Sequence, residues 1–369
     1  MSRKLLPGQG SLLPSGSYNW LKANTVETAF SKDIGERLVR GTEEKKNFIP
    51  KVKKGELLPI SEDLSLEFSN NQRGISQELV DQAKNSSNLE GRFVLYEGDE
   101  GRLEYYLDRE QDILIDTVQI VVPVGNRARF IMLLDGDDGK SYRNGLMELK
   151  LHDDAQLDLV LVNRAGKATI NNFSLIGDMG DGAELNLTTV EMGGSINNFY
   201  YSGDLLGFEA KNDISTVYLG YGDMKFDMFY NVSFYNHYNE GHIDANGALL
   251  DRAYKSFRDT LDFKEGSLGA IGNESEFTIL MSEEARSVSV PILLCHEDLV
   301  QANHAASDGK IDPDQLFYIM SRGFSKEEAE GMIVEARMTP CLDRIWDDEL
   351  RQALKNEIHE RIVNRNEHA

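Results

Sequence analysis

Two cysteines, Cys295 and Cys341, are all that the 369 residues contain. That excludes a disulfide framework and a four-cysteine zinc site, and it points to a reducing compartment, the cytoplasm. No apolar run approaches the roughly 20 residues of a bilayer-spanning helix, so no membrane segment is expected. Pro7 and Gly8 interrupt the opening Met1–Leu6 before an apolar signal core forms, so a secretory leader is not expected either. Positive charge is scarce: 39 Lys+Arg stand against 62 Asp+Glu, a net charge of −23. A chain this acidic is repelled by phosphate backbones and anionic lipid surfaces, which removes nucleic acid and membranes as expected partners. The shortage is uneven. Residues 1–60 hold 11 basic and 6 acidic side chains, a net of +5, which leaves −28 for the remainder.

Proline is missing altogether between Pro123 and Pro291. That stretch turns instead on Gly, Asn and Asp, which reach positive φ and keep their backbone donors. Fully paired strands need those donors. The alternation agrees. Leu157, Leu159 and Leu161 alternate with Asp158, Val160 and Val162, and Leu185, Leu187 and Thr189 with Asn186, Thr188 and Val190. A third apolar phase runs Phe226, Met228, Tyr230, Val232, Phe234. A period of two predicts strands, and no ten-residue stretch shows the 3.6 period of a crossover helix.

Weak internal repeats accompany the strands. Asp153–Leu159 resembles Gly180–Leu187, with Ala155 and Ala183 in step, and Thr169–Phe173 resembles Ser195–Phe199, with Ile170 and Ile196 in step. Repeats spaced by 26–28 residues predict a parallel β-solenoid in which each coil covers its neighbour. An antiparallel sandwich is the competing reading of the same pattern. The flanks differ. Val26–Val39 and Ser76–Lys84 are helix candidates. Asp312-Pro313-Asp314-Gln315 starts a helix that Gly323 ends. Ser325-Lys326-Glu327-Glu328 caps a second, with Ala329, Met332, Ile333 and Ala336 as its apolar face and Pro340 as its stop. From about Asp347 a third carries Leu350, Leu354, Ile358 and Ile362 in one stripe.

Chemistry-bearing motifs are few. No carboxylate spacing singles out a catalytic pair, so no catalytic residue is assigned and no enzyme activity is expected. The chain contains no Gly-x-x-x-x-Gly-Lys phosphate loop and no Gly-x-Ser-x-Gly elbow. Asp135-Gly136-Asp137-Asp138-Gly139 lacks the glutamate of a calcium loop at its twelfth position, where Leu146 stands, and reads as a solvated turn. Gly220-Tyr221-Gly222 reads as a β-turn. His237 and His242 have no acidic or thiol company in register. In Cys295-His296-Glu297-Asp298, a continued strand would send Cys295 and Glu297 one way and His296 and Asp298 the other, too few ligands per face for closed zinc. Cys295 follows Ile292-Leu293-Leu294 and is expected to be buried and inert.

The segment Cys295–Asp312, leading into Gln315-Leu316-Phe317-Tyr318-Ile319-Met320-Ser321-Arg322-Gly323, resembles the C-terminal signature of the SufB/SufD family of iron–sulfur cluster assembly scaffolds. Leu250–Phe257 and Ile279–Ala285 resemble two upstream strands of that family. The likeness is specific over roughly 240–340 and only architectural from 90 to 240. It implies a mainly β chain: a right-handed parallel β-helix core at 91–308, a partly helical segment at 1–90, and a C-terminal helical domain at 309–369 that docks an ATPase. It also implies a scaffold that pairs with a SufB-like subunit or a second copy of itself and binds a SufC-like ABC-type ATPase. The cargo would be a nascent iron–sulfur cluster, held transiently at the subunit interface, with no tightly bound cofactor in the isolated chain.

One residue carries over. His304 matches the histidine of the family's xHxA turn and is the expected cluster-binding and metal-binding residue; a neutral imidazole is a fitting iron ligand. Where the SufB branch has a QCDS stretch and a glutamate after this histidine, the sequence reads Glu274-Ser275-Glu276-Phe277 and Ala305. Both departures favour a SufD-like chain. The alternatives are a β-solenoid carbohydrate-active enzyme and a metal-free structural solenoid.

Overall fold

The computed structural model describes residues 76–87, 89–108 and 112–364, with three short strands before them. These are β1 (Gln9–Leu12) and β2 (Thr25–Glu27), an antiparallel pair, and β3 (Glu56–Leu58), antiparallel to β4 (Leu89–Val94). The helix expected over Val26–Val39 therefore begins as strand, and 28–39 lie outside the described residues. The candidate at Ser76–Lys84 is α1 (Gln77–Ser86), with the Ser76 hydroxyl accepting the Leu79 N–H.

From β4 onward the chain alternates between two sheets. The first stacks β4, β6 (Ile113–Val122), β8 (Ser141–Leu151), β10 (Thr169–Met179), β12 (Ile196–Leu205), β14 (Lys225–Phe234), β16 (Tyr254–Phe263) and β18 (Arg286–Cys295). The second stacks β5 (Glu100–Leu107), β7 (Arg127–Gly136), β9 (Gln156–Arg164), β11 (Glu184–Glu191), β13 (Lys211–Gly220), β15 (Glu240–Leu249), β17 (Ile271–Leu280) and β19 (Gln301–Gly309). All neighbours within these two stacks are parallel, which makes a β-solenoid of about eight coils and removes the sandwich reading. The repeats are its registers: Ile170 pairs with Ile196, and Leu157 with Leu185. Corners recur in the left-handed region, at Gly182 (φ 60°) but also at Tyr238 (φ 58°), where a bulky residue meets a demand the stacked coils impose.

The middle strands of the second sheet are buried on both faces. Leu157, Leu159 and Leu161 fill the lumen, while Val160 and Val162 face an outer core shared with helices. That is why β9 alternates so little in hydrophobicity. The outer core contains α3 (Lys326–Leu342) and α4 (Asp348–Val363), which lie along the second sheet. Arg102–Asp347 at 3.0 Å, Arg164–Glu357 at 3.4 Å and the Arg344–Asp213 pair rim the contact.

The stripe Leu350, Leu354, Ile358, Ile362 is buried as expected. The face of α3 is not. Of the expected face only half is covered: Ala329 is buried and Ile333 half-buried, Met332 and Ala336 are exposed, and Val334, Met338, Cys341 and Leu342 are buried in their place, because the sheet meets the helix on a neighbouring side. Pro340 does not stop α3. It sits in the last turn, where the helix loses one hydrogen bond and ends two residues later. By contrast α2 (Pro313–Met320), capped by Asp312, buries no residue at all, and Gly323 follows at φ 100°. Among the described residues no helix is long and apolar enough to cross a membrane.

Candidate functional site at the open end of the solenoid

Among the described residues the last coil has no coil above it, so β18 and β19 are sheet edges. Parallel in-register pairing keeps side chains in columns that run along the tube. Phe234 and Phe263 stack face to face in the lumen at 4.3 Å, and Cys295 stands next in their column. Ile243 and Glu274 lead to His304 in the same way. Both residues therefore lie on the lumen-facing side of the last rung. Ser287 Oγ donates to Asp308 Oδ1 at 2.8 Å across the mouth.

His304 lies in the middle of β19 and is exposed; it is not at the turn expected from the family pattern. Cys295 is exposed and not buried, because the rung that would have covered it is absent. The strand also ends at Cys295, and residues 296–300 form the corner, where Glu297 accepts the Gly266 N–H at 3.2 Å. The alternation expected through Asp298 therefore does not exist. Beyond the mouth, His237 packs edge-on against Phe208, and His242 contacts Asn273. Asp137 Oδ1 closes its own turn on the Gly139 N–H at 2.8 Å. Tyr221 OH accepts from Arg361 at 2.8 Å. Among the described residues no three His, Cys, Asp or Glu side chains converge as a metal site.

One rung below the mouth is a buried ionic cluster. The Lys255 ammonium pairs with Glu276 and donates to Thr278 Oγ1 at 3.2 Å and Ser289 Oγ at 3.0 Å. Tyr218 OH donates to Glu276 at 3.0 Å. Its ring reaches this far because Gly247 lies beside it: a Cβ there would come within 2.0 Å of the ring. Glu274 Oε2 accepts the Ala305 N–H at 3.1 Å. Burial pushes the Glu274 carboxyl up to about 7, with the Ala305 N–H opposing and Glu276 adding to the shift. Burial, reinforced by Glu274 and Glu276, holds Asp259 well above the carboxylate range despite Lys255. At neutral pH this cluster therefore holds protons.

Reasoning from sequence misses the cluster. Glu274, Glu276 and Thr278 occupy alternate positions on β17, a pattern that usually marks a solvent face. In a solenoid whose strands are buried on both faces, those positions turn inward.

Comparison with known proteins agrees with this architecture. The family model for the SufBD core domain of the SUF system for FeS cluster assembly matches residues 105–337. The iron–sulfur cluster assembly protein SufD of Bacillus subtilis is 30% identical over 204 residues, 54% of this chain and 44% of the relative. An iron–sulfur cluster assembly SufBD family protein of Pyrococcus horikoshii is 27% identical over 207 residues, again 54% and 44%. The SufD protein of Escherichia coli is 27% identical over 114 residues, 31% of this chain and 27% of that protein. Each of these matches spans less than half of the relative. With the family model covering most of the solenoid and the first helices after it, the chain belongs to the SufBD family of the SUF iron–sulfur cluster assembly system.

Proposed function

We propose that this chain is a non-catalytic, SufD-like scaffold subunit that works in the cytoplasm, with a nascent iron–sulfur cluster as its cargo. The observation that carries the reading is the open last rung. The second sheet ends on β19 with Gln301-Ala302-Asn303-His304-Ala305-Ala306-Ser307 exposed or half-buried and uncharged. At the other end of the same sheet, β5 carries Glu100, Arg102 and Glu104. Charges on an edge strand discourage pairing with another chain, and small neutral residues permit it. In this reading a SufB-like subunit, or a second copy, pairs with the β18–β19 end. His304 then faces the junction as an iron ligand.

The second surface is α2. Phe317 is 72% exposed, with Tyr318 and Met320 of the same helix and Phe324 just after it also exposed, on a helix without one fully buried residue. A SufC-like ABC-type ATPase is the partner we assign to it, and nucleotide-driven movement of that ATPase would act on the adjoining rung.

His304→Ala tests the site. The side chain is exposed, so the fold should survive with stability unchanged within about 0.5 kcal/mol, while maturation of iron–sulfur enzymes in cells falls. Normal maturation in the variant would remove the site and leave the scaffold reading to stand on co-purification with the two partners.

A further inference from the structure

Glu274 has an oxygen with nothing to bind. The residue is 3% exposed, and while Oε2 accepts the Ala305 N–H, Oε1 has no hydrogen-bond partner among the described residues. A desolvated carboxylate oxygen without a donor is costly. Lys255 does not relieve it, because its ammonium is engaged by Glu276, Thr278 and Ser289. The Ala305 bond fixes the carboxylate against β19. Glu274 and His304 are register partners on adjacent parallel strands, so their side chains leave the same face one strand spacing apart, about 4.8 Å. One is buried and one is open to solvent. A carboxylate and an imidazole that leave the same face of neighbouring strands are a donor pair suited to a divalent first-row metal.

We propose that Glu274 is a ligand for ferrous iron, acting with His304 as this chain's half of a site that is completed across the open rung. The inference rests on the reading of His304 as the cargo-binding residue. Among the described residues no third donor converges on the pair, so water, sulfide or a partner's side chain takes the other positions.

The test uses the full chain under anaerobic conditions, titrated with Fe2+ against a competing chelator and with Co2+ followed by its visible absorption. The wild type should take up one ion. His304→Ala and Glu274→Gln should each weaken binding by at least about tenfold, and Ser275→Ala, on the outward face of β17, should not. Gln keeps an oxygen for the Ala305 N–H, so thermal unfolding of that variant should match the wild type. Should it fail to fold, Glu274→Asp keeps the charge and loses the reach, and the same weakening is expected. Loss of binding in His304→Ala with wild-type affinity in the Glu274 variants overturns the role of Glu274 and leaves His304 in place. Affinity that responds to neither residue, or no uptake at all, overturns both.

Discussion

Helices α2 and α4 belong to one C-terminal stretch and both carry apolar side chains on a polar background. Their surroundings are opposite. The α4 stripe fits into the outer core of the second sheet, with Leu354, Ile358 and Ile362 fully buried, while α2 leaves Phe317 and Tyr318 in solvent. Amphipathicity says that a face favours a cover. Here it does not say whether the cover is the chain's own sheet or another protein. The lumen repeats the contrast. In its early coils Arg143 meets Asp116 through two hydrogen bonds of 2.8 and 2.9 Å, between the Tyr105 and Phe173 rings. Near the mouth, Lys255 faces Glu276, Glu274 and Asp259, and not every carboxylate oxygen finds a donor. The early coils are complete within the chain, and the last ones are not.

Substitutions can break this contrast. Leu354→Asp should have the largest effect, about 5 kcal/mol lost in denaturant unfolding, since it removes a buried side chain and buries a charge. A small loss would mean that α4 is not part of the core. Next is Arg143→Ala, which strands Asp116 in the lumen at a cost of about 3–5 kcal/mol; near-wild-type stability there would show that the early coils are no better satisfied than the mouth.

The pH dependence follows from Glu191, fully buried, whose carboxyl burial pushes up to about 7 although the Asn163 hydrogen bond and the Arg143 charge both oppose the shift. Below about 4.5 the group is protonated folded and unfolded and costs nothing; the loss builds as pH rises from about 4.5 to about 7 and is constant above that. The chain should therefore lose up to about 3 kcal/mol from this group between pH 5 and 8. Glu191→Gln should flatten that part of the curve, and an unchanged slope would assign the dependence to the mouth. Smallest in stability is Phe317→Asp, within about 0.5 kcal/mol, yet co-purification with the ATPase proposed as its partner should be lost. Full retention of the ATPase would move the docking surface off α2.

Most of the architecture is legible in the residues. Alternation, repeat spacing and the missing prolines predict strands stacked as a solenoid or an antiparallel sandwich, between which the parallel registers decide, and the caps at Ser325 and Asp347 place two helices. Two misplaced features have different causes. Cys295 follows an apolar run that in a middle coil would bury it, and among the described residues the last rung has no covering coil. His304 belongs to a short pattern that in the family resemblance reads as a turn, while pairing with β17 carries β19 straight through it as strand. The inward Glu274 and Glu276 were hidden for the converse reason: a charge on alternate positions looks solvated until a second buried face is known.

Local pattern was enough to establish strand, corner, helix and repeat, because period, φ requirements and capping act within a few residues. Which rung is last, which helix face meets the sheet, and where a carboxylate lacks its donor depend on contacts between residues tens of positions apart. Those contacts exist only once the coils are stacked, and the exposed end they leave is where we place the chemistry.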